Sequence, residues 1–134
     1  MGNETSERIE GALRAYNEDG VEAILPYIHP DFEMTTTTEV AAEPDTYRGH
    51  EGVTRYFESF LEIMDEVRVE PLEIEAHGDR GLIRFDLIAR GKATGIEVVQ
   101  KGFGIWEFEG DLVRRISFFP SEDEARAAFD SSSD

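Results

Sequence analysis

The amino-acid sequence predicts a single α+β domain, in which N-terminal helices wrap a curved antiparallel or mixed sheet around an apolar pocket. Apolar residues recur at helical spacing in the first half of the chain, and from Glu66 onward they alternate with a period of two. Pro71 interrupts this alternation, which allows a long meander to bend into a cone. We therefore expect residues 1–134 to form one domain, with a core at about residues 6–129 and a short C-terminal helix.

Composition limits the partners that we expect. The 134 residues include 30 acidic and 13 basic ones, a formal net charge of −17, so nucleic acid and anionic membranes would be repelled before contact. The chain has no cysteine, which excludes disulfides, thiolate metal ligands and a cysteine nucleophile. No apolar run approaches the ~20 residues that cross a bilayer, and the polar N-terminus has no apolar signal core. We expect a cytoplasmic protein without a cofactor, and the acidic surface fits either a saline cytoplasm or a GC-rich genome.

The helices are predicted from stripes of apolar residues. The first is expected over residues 6–16, and a short second helix ends near Pro26. The clearest helix covers residues 50–64, where apolar side chains recur at i, i+3, i+4, i+7, i+8 and i+11. Ser121 and Glu124 have capping-box spacing, which predicts the start of the C-terminal helix.

The strands are predicted from alternation and from turn residues. A first strand is expected over residues 32–38, followed by a loop over residues 39–47. The next strand changes its alternation at Glu70-Pro71, which predicts a β-bulge or bend there. Further strands are expected near residues 83–90 and over residues 96–109 and 112–119, the last two joined by a hairpin turn at Gly110.

Several local strings, in this order and spacing, resemble the SnoaL-like branch of the NTF2-like superfamily. They cover nearly the whole chain, and they are residues 29–32 (HPDF), 47–53 (YRGHEGV), 91–95 (GKATG), 106–113 (WEFEGDLV) and 123–128 (DEARAA). The resemblance implies the cone fold of ketosteroid isomerases and polyketide cyclases, and a homodimer built through the sheet. Members use the pocket for isomerisation, cyclisation, epoxide hydrolysis, dehydration or plain binding, so the fold alone leaves the function open.

The carboxylates that such enzymes use are absent from the matching positions. A ketosteroid-isomerase-like site would need a base near Thr36, an acid near Gly104 and a tyrosine near Ala12. Cyclase-like and epoxide-hydrolase-like relatives carry an acidic residue on the last strand, near Ser117 and Pro120. The sequence has no carboxylate at any of these positions.

Five polar residues remain as catalytic candidates. Arg84 and Asp86 match the Arg-x-Asp pair of epoxide hydrolases, but alternation favours the outer sheet face for both, because Phe85 and its apolar neighbours form the inner one. His50 opens the third helix, where such pockets have their mouth, and Arg115 and Ser117 lie on the last strand. The three histidines have no metal-ligand spacing, so no metal site is expected.

Aromatic residues are the stronger pocket candidates. We expect the pocket to be lined by Tyr16, Tyr27, Phe57, Phe60, Phe85, Phe103, Trp106 and Phe119. Gly102 and Gly104 would leave room for a ligand beside Trp106, or they would only ease the curvature of the strand.

Two classes of function follow from these observations. The first is an apolar pocket for a small hydrophobic molecule, in a binding protein or a non-catalytic dimeric accessory domain. The second is an enzyme of the cyclase, isomerase or epoxide-hydrolase type that acts on a small apolar substrate. The missing carboxylates favour the first class.

Overall fold

The computed structural model describes residues 2–36, 46–62 and 64–131. These residues form helices and strands in the predicted order, with a short 3-10 turn before the first strand. The elements are α1 (Gly2–Asp19), α2 (Val21–Ile24), the 3-10 turn (Leu25–Tyr27), β1 (Ile28–Thr35), β2 (Thr46–Arg48), α3 (Gly49–Leu61), β3 (Met64–His77), β4 (Arg80–Gly91), β5 (Glu97–Glu109), β6 (Leu112–Phe119) and α4 (Glu122–Ser131).

The six strands form one mixed sheet in the order β2-β1-β6-β5-β4-β3. Strand β1 runs parallel to β6, and all other neighbours are antiparallel. The predicted α+β fold with a curved mixed sheet is thereby confirmed. No helix in the described ranges is long and apolar enough to cross a membrane.

Some element bounds differ from the prediction. Strand β1 begins at Ile28, four residues before the predicted start, and its pairing with β6 is irregular between Ile28 and Glu33, where Pro30 cannot donate to the ladder. Helix α3 ends at Leu61, and Met64 already belongs to β3. The predicted end of the first strand, at residues 37–38, lies outside the described residues, as do residues 132–134.

A short strand occupies the end of the predicted loop. Residues 46–48 form β2, in which Tyr47 is fully buried opposite Met34 of β1. Three residues are too few to show a period in the sequence, so the loop prediction was wrong at this end. Residues 39–45 of that prediction lie outside the described part of the chain.

The bulge predicted near Pro71 is confirmed. Pro71 pairs with Phe85 of β4, whereas Glu73, two residues later, pairs with the adjacent Arg84. Because the register slips by one residue, Val69 and Ile74 pack against the same core although their numbers differ in parity.

Helices cover both faces of the sheet. Helices α1 and α3 pack on the face that carries Phe85 and Trp106, which we call the inner face. Helix α4 packs on the opposite, outer face, where Phe129 and Ala125 meet Leu82 and Ile105. An ion pair of 2.7 Å between Arg126 and Glu75 also joins α4 to β3 and holds the pKa of the Glu75 carboxyl below its usual range. The capping box of α4 forms as predicted, with the Glu124 amide donating to Ser121 Oγ at 3.2 Å.

Candidate functional site

A cavity of about 50 Å³ lies between the helices and the inner face of the sheet. Its walls come from α1, α2, α3 and five strands, and almost all of the lining side chains are apolar. The lining residues are Leu13, Ile24, Ile28, Phe32, Met34, Val53, Tyr56, Phe57, Val69, Ile83, Phe85, Leu87, Trp106, Ile116 and Phe118.

Two glycines of β5 shape the aromatic wall of the cavity. Gly102 lies opposite Phe85 on β4, and a Cβ atom on Gly102 would overlap the Phe85 ring. Gly104 lies opposite Phe118 on β6, whose ring is 3.2 Å from the place of a Cβ atom. The two rings meet edge to face at 5.8 Å. The space that these glycines open is therefore filled by Phe85 and Phe118, and the expectation that it is left for a ligand is corrected.

Three of the predicted aromatic residues line the cavity, namely Phe57, Phe85 and Trp106. Tyr16 and Phe60 lie one layer behind the wall. The Tyr16 ring stacks on Phe57 at 4.2 Å, and its hydroxyl donates to the Val67 carbonyl at 3.0 Å. Phe60 packs edge to face on Tyr56, also of α3, at 5.3 Å. Both therefore hold the cavity wall in place without forming it.

The other three predicted aromatics lie elsewhere. Tyr27 is partly buried against the core beside α1, with its ring near Gly11. Phe103 and Phe119 pair with each other on the outer face and pack with the residues that α4 covers. Side chains alternate along a strand, so Phe103 cannot share a face with Trp106, three residues later.

Arg84 and Asp86 also lie on the outer face, which alternation favoured. Arg84 is 3.8 Å from Glu122 of α4, and Asp86 is 3.9 Å from Lys101 of β5. Arg84 Nε and one carboxylate oxygen of Asp86 are buried without a hydrogen bond. The pair is separated from the cavity by the sheet itself.

The remaining catalytic candidates are likewise outside the cavity. Arg115 and Ser117 alternate with the lining residue Ile116, so both face outward, and Arg115 is 3.8 Å from Glu33. His50 Nε2 lies 2.8 Å from the Ile28 carbonyl, which ties the start of α3 to β1. The structure does not bring the five candidates together.

The cavity wall carries one ionisable side chain among the described residues, Tyr56. Burial is the main cause that raises the pKa of Tyr56, and the neighbouring Tyr16 and Tyr47 raise it further. Burial also raises the pKa of Tyr16. Both hydroxyls are therefore neutral at physiological pH. In the described residues, no group of three or more histidine, cysteine or acidic side chains could hold a metal ion.

Several lining residues were missed by the sequence prediction, among them Phe32, Met34 and Phe118. Phe118 lies two residues after Ile116 and thus on the same face of β6. Alternation along the strand could therefore have predicted that Phe118 faces the cavity. Phe32 and Met34 alternate in the same way on β1. Their position opposite the helices depends on the pairing of β1 with β6, which has no local signature in the sequence.

The SnoaL-like domain family model matches residues 9–116. No curated protein matches the chain at a significant level.

The solved structures that resemble this chain share its fold at low sequence identity. An NTF2-like protein of unknown function from Burkholderia pseudomallei has a TM-score of 0.75 at 17% identity, covering 90% of this chain and 93% of that one. TerC, co-crystallised with polyporic acid, has a TM-score of 0.75 at 18% identity, covering 96% of each chain. A protein with a ketosteroid isomerase-like fold from Catenulispora acidiphila, in complex with trimethylamine, has a TM-score of 0.72 at 14% identity, covering 90% of each chain.

Proposed function

Because this chain belongs to the SnoaL-like domain family, in which one pocket serves many functions, we propose that it is a binding protein for a small, uncharged, apolar molecule. The observation that carries the proposal is the composition of the cavity wall. The side chains of its described residues are apolar except for the Trp106 indole N–H and the Tyr56 hydroxyl, whose pKa is raised by burial. A charged ligand would lose its hydration in this cavity without gaining an ionic partner.

The volume of the cavity sets the size of the ligand. Pockets that hold drug-sized molecules measure ~300–1,000 Å³, whereas this cavity measures about 50 Å³. An apolar cavity of ~150 Å³ holds one benzene molecule, so this cavity as it stands takes only a molecule of a few non-hydrogen atoms. A ligand with one aromatic ring or more would require Phe85 or its neighbours to change rotamer.

The cavity wall gives less support to the two alternatives, which are an enzyme and a non-catalytic accessory domain. General acid–base catalysis needs a group whose pKa lies near the working pH and which reaches the substrate. All five candidate residues for such work are outside the cavity, and the pKa of Tyr56 is raised away from neutrality. A non-catalytic accessory role is compatible with binding. The homodimer through the sheet and the cytoplasmic location remain predictions.

Trp106 allows a direct test of the proposal. It is the single tryptophan of the chain and lines the cavity, so its fluorescence reports on cavity occupancy. We expect xenon, a small heavy atom that apolar cavities bind, to quench Trp106 in a saturable manner through the heavy-atom effect. Cyclopropane, a small apolar molecule without a heavy atom, should compete for the same space and reverse the quenching.

A pair of variants of α3 provides the control. Val53→Phe fills the cavity from its wall and should abolish saturable quenching, whereas Leu61→Phe, at a position that is 41% exposed, should leave it intact. Overpacking costs ~1–3 kcal/mol, so circular dichroism should first show that both variants are folded. Quenching that never saturates, or that persists in Val53→Phe, would contradict binding in this cavity.

A further inference from the structure

The wall of the apolar cavity reaches the protein surface at two side chains. Among the described lining residues, all but two are buried, and the two that are partly exposed are Val69 of β3 and Phe118 of β6. Each of these side chains lines the cavity and is also in contact with solvent. The entrance to the cavity is therefore expected at one of them, where a single side chain separates the cavity from water.

Val69 cannot open the wall by a side-chain movement. Its backbone pairs with Leu87 of β4, and the Asn17 side chain of α1 bonds both its amide and its carbonyl. Valine is branched at Cβ, which restricts the rotamers of its side chain. A change of rotamer would also move only small methyl groups, so the wall at Val69 stays closed.

Phe118 has both the size and the freedom to open the wall. It is the second-last residue of β6 and lies opposite Gly104 of β5, which has no side chain to hold the ring from the neighbouring strand. Its ring meets the Phe85 ring edge to face at 5.8 Å. Because the Phe118 ring is already partly exposed, a rotamer change toward solvent loses less apolar burial than the same movement of a buried ring.

Phe85, the other ring of this pair, is fixed more firmly. It is 4% exposed, and its ring covers the Gly102 backbone at the place where a Cβ atom would stand. Protein interiors are close-packed, so a buried ring in the core has no free space to move into. Phe118 is therefore the ring of the pair that can move first.

We propose that Phe118 is the movable part of the cavity wall: its ring turns outward, opens the cavity to solvent and leaves its place to a ligand that carries one ring. This inference rests on the proposed function, because it concerns the entrance and the size limit of the same cavity. The closed cavity of about 50 Å³ is too small for an aromatic ring. A single ring fits once it can occupy the place of the Phe118 ring. Phe118 thus selects uncharged molecules with one ring.

Quenching of Trp106 fluorescence by acrylamide tests the entrance. Trp106 pairs with Ile116 and is the diagonal neighbour of Phe118, with the two backbones ~7–8 Å apart. Acrylamide is uncharged, so the net charge of −17 does not repel it as it would repel iodide. In the wild type, where Trp106 is 4% exposed, quenching should be weak. Phe118→Ala should raise the quenching constant several-fold.

Phe119→Ala is the matched control. It removes the same ring from the next residue of β6, which is also partly buried but packs on the outer face with the residues that α4 covers. It should leave the quenching constant at the wild-type value. Circular dichroism should first show that both variants are folded. Phe118→Leu, which keeps more of the apolar contact, should raise quenching in the same direction and serves if Phe118→Ala does not fold.

Bromobenzene tests whether the ring of Phe118 gives up its place to a ligand. An open form that makes up only ~0.1–10% of the molecules lowers the apparent affinity by that fraction. Phe118→Ala, in which the place is always vacant, should therefore bind bromobenzene with a Kd about tenfold or more below that of the wild type. In a crystal of the wild type with bromobenzene, the anomalous signal of bromine should lie beside an outward-turned Phe118.

The outcomes separate this inference from the proposed function. Saturable xenon quenching with equal acrylamide quenching in the wild type and Phe118→Ala would leave the binding function standing and overturn the role of Phe118. Increased acrylamide quenching in Val69→Ala or Phe119→Ala but not in Phe118→Ala would also overturn it, as would bromobenzene bound next to an unmoved Phe118. Xenon quenching that never saturates would contradict the proposed function, and the acrylamide comparison would still decide whether Phe118 closes the cavity.

Discussion

Gly102 and Phe85 face each other on neighbouring strands, and the Phe85 ring covers the backbone where a Gly102 side chain would stand. Glycine in a strand interior is ordinarily destabilising by ~0.5–1 kcal/mol relative to alanine. Here its missing side chain allows a ring to lie flat on the sheet. Gly102 thus stabilises the core because it leaves room for the Phe85 ring to pack on the strand.

We predict that Gly102→Ala destabilises the protein by ~1–3 kcal/mol, because the added Cβ atom forces the Phe85 ring from its place. Urea denaturation monitored by Trp106 fluorescence would measure the change. Gly104→Ala, where the nearest ring atom of Phe118 is 3.2 Å away, should cost less.

A double-mutant cycle separates this contact from general strand effects. Phe85→Leu removes the ring, so Gly102→Ala in that background should cost less than in the wild type, with a coupling free energy of ~1 kcal/mol. If Gly102→Ala leaves stability unchanged or raises it, then backbone propensity outweighs the ring contact and the packing argument fails.

Individual side chains also show what alternation can predict. Phe103 and Trp106 are three residues apart on one strand, and Phe119 and Ile116 are three apart on the next, so each pair must straddle the sheet. The prediction that Phe103 and Phe119 line the pocket considered only that both are aromatic, and not which face of the strand each residue occupies. The positions of Arg84 and Asp86 follow from alternation with Phe85 and were predictable. The cavity volume was not, because it depends on the packing of the rings.

The helices and the meander followed from local signals. Apolar spacing identified α3, alternation identified β4, the hairpin turn at Gly110 identified β6, and the slip at Pro71 marked the bulge. Local patterns could not predict that β1 runs parallel to β6, because the paired residues Met34 and Ile116 are distant in sequence. Strand β2 was missed for a different reason, since it has only three residues.

Helix α1 stabilises the sheet by capping an edge as well as by burying apolar surface. Asn17 satisfies both the amide and the carbonyl of Val69 through two hydrogen bonds between elements distant in sequence. A side-chain amide carries a donor and an acceptor, and can therefore replace a neighbouring strand at one residue.

We predict that Asn17→Ala costs ~1–3 kcal/mol, because it leaves two partly buried backbone groups without a partner. Asn17→Asp should also destabilise, since a carboxylate accepts from the Val69 amide but cannot donate to the Val69 carbonyl. Glu18→Ala, at the exposed neighbouring position, is the control and should stay within ~0.5 kcal/mol of the wild type in thermal or urea denaturation. Equal stability of Asn17→Ala and Glu18→Ala would show that water replaces both bonds without loss.

The charge of the molecule bears on its stability as a unit. Thirteen basic residues can neutralise at most 13 of the 30 acidic charges, which leaves a net charge of −17. The described ion pairs are mostly exposed, such as Arg48–Glu33 and Arg114–Glu109, and exposed pairs contribute ~0–1 kcal/mol each. The excess of negative charge therefore repels itself over the surface of the folded chain.

Screening of these negative charges by salt should consequently stabilise the folded protein. We predict that the Tm rises by several degrees when NaCl increases from ~10 mM to ~1 M, as the Debye length falls from ~30 Å to ~3 Å. Differential scanning calorimetry should be run at a protein concentration where the chain sediments as a monomer, so that dimerisation does not contribute. Most of the increase should occur below ~0.2 M, because screening is already strong there, whereas exclusion of salt from apolar surface would grow steadily with concentration.

A variant with fewer negative charges tests whether charge repulsion is the cause of the predicted rise in Tm with salt. Replacing Glu7, Glu10 and Glu18 with glutamine removes three charges from the exposed side of α1 and preserves side-chain size. The variant should have a higher Tm than the wild type in ~10 mM salt and a smaller increase on addition of NaCl, because less repulsion remains to be screened. A Tm that falls with salt in the wild type would mean that the surface ion pairs outweigh the excess charge, and the repulsion argument would then be wrong.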